Sequence, residues 1–167
     1  VAVALGMAGA LATFHPDDPA WTHTAAVAQF HNLGGIFGAW FADVTLYFFG
    51  YAAYLLPLGV AFAGWRLFKR GALLELDGEI VLFRVLGFLV TLATACGLVA
   101  LHLHTVPGTV PGAGSSGGLV GDHVSQFLIQ AFEEMGGNLF VLALLLAGVV
   151  LTTGLSWLTV LDWVGLV

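Results

Sequence analysis

Residues 65–70 read Trp65-Arg66-Leu67-Phe68-Lys69-Arg70, and together with Arg84 they hold every lysine and arginine of the 167-residue chain. Uncharged blocks at 44–65 and 138–158 and a block at 80–101 interrupted only by Arg84 lie around this stretch. Each would make a helix of about 31–33 Å at 1.5 Å per residue, which matches the hydrocarbon thickness of a bilayer. Backbone amides have no water to bond with inside lipid, so such blocks must be helical. Cations are retained on the cytoplasmic side, which makes 66–79 a cytoplasmic loop and puts 15–43 and 102–137 on the outer face.

The composition agrees. Hydrophobic residues make up 59% of the chain and charged residues 8%, against about 25% charged in an ordinary soluble domain. The formal charge is −6, and no segment away from the single basic stretch offers a cation to phosphate, so nucleic-acid binding is not expected of this chain. Cys96 is the lone cysteine and excludes an intrachain disulfide.

The opening apolar run 1–14 is too short to span by itself, at about 21 Å. It ends in Phe14-His15-Pro16 rather than at a small-residue cleavage site, so it reads as a membrane helix whose start lies upstream, preceded by further Lys or Arg. The expected fold is an all-α membrane protein of a single domain, 1–167. It has four transmembrane helices at 1–14, 44–65, 80–101 and 138–158, both termini cytoplasmic, and two outer loops with short or interfacial helices. Pro57 is expected to kink the second helix.

Close helix approach in lipid relies on small residues one turn apart. Ala2, Gly6 and Ala10 supply such a stripe in the first helix, Gly87, Thr91 and Ala95 in the third, and Gly148, Thr152 and Ser156 in the fourth; the second carries Tyr47, Tyr51 and Tyr54 instead. Trp40, Trp65, Trp157 and Trp163 fall near block ends, where an amphipathic ring suits the membrane surface.

In the first outer loop, Asp18 is placed to cap a short helix beginning at Pro19, Asn32-Leu33-Gly34-Gly35 to form a turn, and Asp43 to cap the second membrane helix. In the second, the Pro, Gly and Ser tract 105–118 reads as a mobile loop. It is followed by an amphipathic helix around 120–133 on the outer leaflet and a corner at Gly136-Gly137.

All six histidines, His15, His23, His31, His102, His104 and His123, fall in or beside the outer loops and not on facing membrane helices, so neither haem nor another metal is expected. If His102 and His104 continue the third helix, they point about 200° apart and cannot share a metal. The helix centres carry no ionisable side chain of the kind an ion or proton transporter needs. No phosphate-binding glycine loop, zinc-protease motif or nucleophile–base arrangement is present, so no catalytic residue is assigned.

Several motifs nevertheless resemble a known family. Phe14-His15-Pro16-Asp17-Asp18-Pro19-Ala20-Trp21 is similar to F-x-P-x-D-P-x-W, His31-Asn32-Leu33-Gly34-Gly35 to H-N-x-G-G, and Gly38-Ala39-Trp40-Phe41-Ala42-Asp43 to G-A-W-x-A-D. Phe49-Gly50, Ala53-Tyr54 and Pro57 follow in order, and Thr153-Gly154-Leu155-Ser156-Trp157 looks like T-G-x-S-W. Together they resemble the N-terminal four-helix membrane domain of FtsK-type DNA translocases of bacterial cell division; the second outer loop departs most from the pattern.

The resemblance implies an inner-membrane anchor at the division septum that recruits division proteins such as FtsQ, FtsL and FtsI and tethers a hexameric cytoplasmic ATPase that moves chromosomal DNA. ATP and magnesium would belong to that motor, and this chain would need no cofactor. Trp21, His31, Asn32, Trp40 and Asp43 are the candidate partner surface. A small haem-bearing redox subunit and a channel are the alternatives, which a Soret band and liposome conductance would respectively reveal.

Overall fold

The computed structural model describes residues 1–22, 30–70, 78–106, 108–111 and 115–154. Its elements in chain order are α1 (Ala2–Ala12), α2 (Gly35–Phe49), a 3-10 turn (Gly50–Tyr54), α3 (Leu55–Arg70), α4 (Gly78–His102) and α5 (Gly118–Thr153), and the described residues contain no strand. Among the described residues, three stretches are long and apolar enough to cross a membrane: Gly35–Lys69, Gly78–His102 and Met135–Thr153. Ala2–Ala12 is a shorter apolar helix.

The second block differs from its expected form. Instead of one helix over 44–65, helix begins at Gly35, stops at Phe49 and restarts at Leu55. The break comes from tertiary packing. Gly50 adopts φ +54, and a side chain there would collide with the backbone of Ser116 and Gly118; the Tyr51 N–H donates to the Ser116 carbonyl at 2.8 Å. Pro57 is not the kink. It lies in the first turn of α3, where its missing N–H leaves no helical bond unmade.

The 105–118 tract is tied down where it is described. The Tyr51 hydroxyl lies 2.6 Å from Thr109 Oγ1 and accepts from the Val106 N–H at 3.0 Å. Ser116 donates its hydroxyl toward the Val99 and Leu103 carbonyls near the end of α4, and Val110 and Pro111 are buried. Gly117 and Gly121 let this corner press its backbone against the Cys96 carbonyl.

α5 is a bent element. Glu133 has φ 58 and ψ 178, so the chain turns there and not at Gly136-Gly137. Gly137 lies against Leu128, and the rings of Phe132 and Phe140 stack at 4.8 Å. The expected surface helix and fourth membrane helix are thus the two arms of one hairpin. The second arm runs to Thr153, where Gly154 takes the left-handed conformation and its N–H closes on the Val150 carbonyl at 2.7 Å; the rest of the expected span, 155–158, lies outside the described residues. Trp157 and Trp163 lie outside the described residues.

α4 and the second arm of α5 cross at their small residues. A Cβ on Gly148 would stand 2.6 Å from Thr91 Oγ1, and one on Gly87 would stand 2.6 Å from the Leu151 Cβ. Thr91 and Thr152 return their hydroxyls to their own helices, at the Gly87 and Gly148 carbonyls, so backbones can approach with no polar group left over. The α1 stripe behaves differently: Ala10 is buried, but Gly6 faces open space. α1 instead enters the core through Leu11, which packs with Ala42, Leu46 and Ala53.

Candidate functional site: the segment between α1 and α2

The carbonyls at the end of a helix have no intrahelical partner. At the end of α1 they are met by Asn32, whose side-chain amide donates to the Ala10 carbonyl at 2.7 Å and the Thr13 carbonyl at 3.3 Å. Asn32 Oδ1 accepts the Gly34 N–H at 2.9 Å, at the start of α2. One side chain, 4% exposed, therefore joins two helix ends. Gly38 has to lack a side chain, because Asn32 occupies the place where its Cβ would lie. The Thr13 hydroxyl, which donates to the Gly9 carbonyl, also accepts the Leu33 N–H at 3.0 Å.

Asp18 sits beneath this joint at 1% exposure. Its carboxylate accepts the His31 N–H at 2.8 Å and the Asn32 N–H at 2.9 Å. His31 Nδ1 lies 3.0 Å from the same group; a carboxylate only accepts, so Nδ1 carries the proton. Burial by itself would raise the Asp18 pKa, but the hydrogen bonds from His31 and Asn32 outweigh it and hold the group below its ordinary value of 3.8. Asp18 therefore does not cap a helix at Pro19, and 19–22 are not helical; 23–29, with His23, lie outside the described residues.

Asp43 does not cap a helix end either. It lies inside α2 at 0% exposure, and Thr22 donates to it from both backbone and hydroxyl at 2.8 Å. The two acids thus pin the connecting segment at two points, Asp18 from within it and Asp43 from α2.

The candidate residues separate into two groups. Trp21 is 51% exposed, set edge-on to Tyr47 at 5.3 Å and stacked against Phe48 at 5.9 Å. His31 is exposed and stacks on His15 at 4.4 Å. Trp40 is 45% exposed and lies within α2, not at a helix end, with Leu33, Ile36 and Phe37 exposed nearby. Asn32 and Asp43 are buried, so a partner cannot touch them in this fold. Asp18 is read from sequence as a backbone acceptor but with the wrong partners, because its true donors lie 13 and 14 residues further along the chain.

His102 ends α4 with Nε2 3.1 Å from Asn138 Oδ1, and His104 lies beyond the helix. Among the described residues no three His, Cys, Asp or Glu side chains are grouped to hold a metal ion.

Residues 1–165 match the family model for the 4TM region of DNA translocase FtsK/SpoIIIE. The chain is 39% identical over 159 residues to the DNA translocase FtsK of Shewanella oneidensis, covering 95% of this chain and 17% of that protein. It is 39% identical over 160 residues to that of Vibrio parahaemolyticus (95% and 15%) and 32% identical over 157 residues to that of Pseudomonas aeruginosa (93% and 19%). The chain therefore spans less than a fifth of the length of these relatives. No solved structure matches it. The all-helical, apolar architecture fits a multi-pass membrane domain, and the chain belongs to the FtsK/SpoIIIE family through its 4TM region.

Proposed function

We propose that this chain is the membrane anchor and septal targeting domain of a DNA translocase, crossing the bacterial inner membrane four times with both ends in the cytoplasm. In this reading α1 forms part of the first crossing, the broken α2–α3 stretch the second, α4 the third and the second arm of α5 the fourth. The reading draws its topology from the confinement of all lysine and arginine to 66–84. The chain itself performs no catalysis. It tethers a cytoplasmic hexameric ATPase motor, which uses ATP and magnesium, and so couples chromosome segregation to division.

The observation that carries the recruitment role is the contrast within the α1–α2 segment. Buried Asp18, Asn32 and Asp43 hold its backbone, while Trp21, His31 and Trp40 remain exposed. Rigid aromatic side chains of this kind are common anchors at protein interfaces. The partners are septal division proteins such as FtsQ, FtsL and FtsI. The test replaces Trp21 and Trp40 singly by Ala in the full-length protein and measures septal recruitment beside thermal stability. Lost recruitment at unchanged stability supports the surface; loss of both together assigns the tryptophans to folding.

A further inference from the structure

The two arms of α5 meet at a bent tip that projects past the end of α4. Asn138 pairs with His102, and Gly148 and Leu151 lie against Thr91 and Gly87, so the second arm runs antiparallel to α4. That register sets Met135 beyond His102, the last residue of α4. Glu133, with φ 58 and ψ 178, occupies backbone space that only glycine adopts freely, and such a residue persists only where its surroundings hold it. The stacked rings of Phe132 and Phe140 and the contact of Gly137 with Leu128 supply that hold. The tip is therefore shaped in advance of any partner, which lowers the cost of binding one.

What the tip presents is apolar and acidic. Met135 is 82% exposed, and Ile129 and Phe132 at the end of the first arm and Leu139 and Phe140 at the start of the second are exposed as well. Glu133 is exposed among them, Glu134 follows it in sequence, and no lysine or arginine occurs after Arg84. Helices that rest on a bilayer through an apolar face ordinarily carry Lys or Arg on the polar one, and anionic headgroups repel acids. The first arm carries Asp122, Gln126, Gln130 and Glu133 instead. Its charge therefore disfavours a lipid surface over the tip and favours a protein segment that brings cations. Lysine and arginine suit the tip twice, since their aliphatic stems pack on apolar side chains while their heads pair with a carboxylate or face a phenylalanine ring. Methionine adapts its shape to such partners.

We propose that the tip of α5, formed by Phe132, Glu133 and Met135, is a docking surface for a basic amphipathic segment of a partner protein, one that sets Lys or Arg among apolar side chains. Apolar burial supplies the affinity, and Glu133 selects the sign of the partner's charge. The surface lies on a different helix from Trp21 and Trp40, so it stands or falls independently of the role assigned to them.

The test uses the full-length protein in phosphatidylcholine nanodiscs. The probe is a short fluorescein-labelled peptide of leucine and lysine in amphipathic order, compared with a twin that bears glutamate for lysine, and anisotropy is read against nanodiscs without protein. Glu133→Gln and Met135→Ser alter exposed side chains, so both should melt with wild type. The expected result is that the lysine peptide prefers protein-bearing discs and the twin does not. Its Kd should rise about threefold in Glu133→Gln, the scale of one exposed ion pair, and about fivefold in Met135→Ser. Equal binding to empty discs, equal binding of the twin, or an unchanged Kd in either variant overturns the docking surface. A bimane label on Met135→Cys in a Cys96→Ala background reports the competing occupant: the proposal predicts no quenching by lipid spin-labelled in its acyl chains, and strong quenching overturns it in favour of a tip inserted in the membrane.

Discussion

Asp18→Asn probes the joint between α1 and α2 with almost no change of shape. The carboxylate receives three donors, the His31 N–H, His31 Nδ1 and the Asn32 N–H. An asparagine offers one acceptor oxygen in place of two and turns an N–H₂ group toward donors, so at least one of the three loses its acceptor. Hydrogen bonds to a charged group contribute about 1.5–3 kcal/mol, and a buried polar group left without a partner costs about 1–3 kcal/mol. With Asp18 1% exposed, water cannot repair the loss, and the substitution is expected to destabilise the domain by about 3 kcal/mol. At about 2–4 °C per kcal/mol for a domain of this size, the midpoint should fall by about 6–12 °C in a tryptophan-fluorescence melt of the nanodisc-embedded protein at pH 7. The pH dependence follows from the same bonds. Because the folded pKa of Asp18 lies below 3.8, its stabilisation is complete above that value and is lost as pH falls through the folded pKa. The wild type should lose midpoint on acidification below about pH 4, and Asp18→Asn should lack that component. A variant midpoint within about 1 °C of wild type at pH 7 would refute the reasoning.

Other substitutions test separate contacts. Asn32→Ala removes the donor to the Ala10 and Thr13 carbonyls and should cost about 1–3 kcal/mol in the same melt, while Thr13→Val, which removes only the Leu33 contact and a return bond, should cost less. Gly148→Ala puts a methyl 2.6 Å from Thr91 Oγ1 and should cost about 1–3 kcal/mol by forcing α4 and α5 apart, visible as a lower midpoint and faster proteolysis of the α4–α5 hairpin. Glu133→Gly relieves the one positive φ outside glycine among the described residues. It should raise the midpoint, or leave it unchanged, where the same substitution in ordinary helix would lower stability by about 1 kcal/mol and the midpoint with it.

What the sequence made legible followed from local physics. The 80–101 block reads as a helix because nothing but Arg84 interrupts it, and α4 encloses that range as Gly78–His102. The small-residue stripes of the third and fourth blocks meet at Gly87, Thr91, Gly148 and Thr152 because close approach in lipid needs small side chains wherever two helices cross. The division of 44–65 was not legible, since both halves are equally apolar and the break depends on Gly50 meeting Ser116 and Gly118, far along the chain. Asp43 misled for a related reason: a carboxylate beside an apolar run ordinarily marks a helix end, and this one lies inside α2, where Thr22, brought back by the fold, donates to it. At the candidate site, exposed Trp21, His31 and Trp40 could be nominated by residue type. The roles of Asp18, Asn32 and Gly38 could not, because they exist only once α1 and α2 are joined.

The central claim is that the α3–α4 connection faces the cytoplasm and the α1–α2 segment faces outward. It is tested most directly by single-cysteine labelling of intact cells with a membrane-impermeant thiol reagent. The buried native thiol is first removed as Cys96→Ala, and Lys69→Cys and His31→Cys are then compared. The account predicts that position 31 reacts in intact cells and position 69 reacts only after the membrane is permeabilised. Reaction at position 69 in intact cells would contradict it.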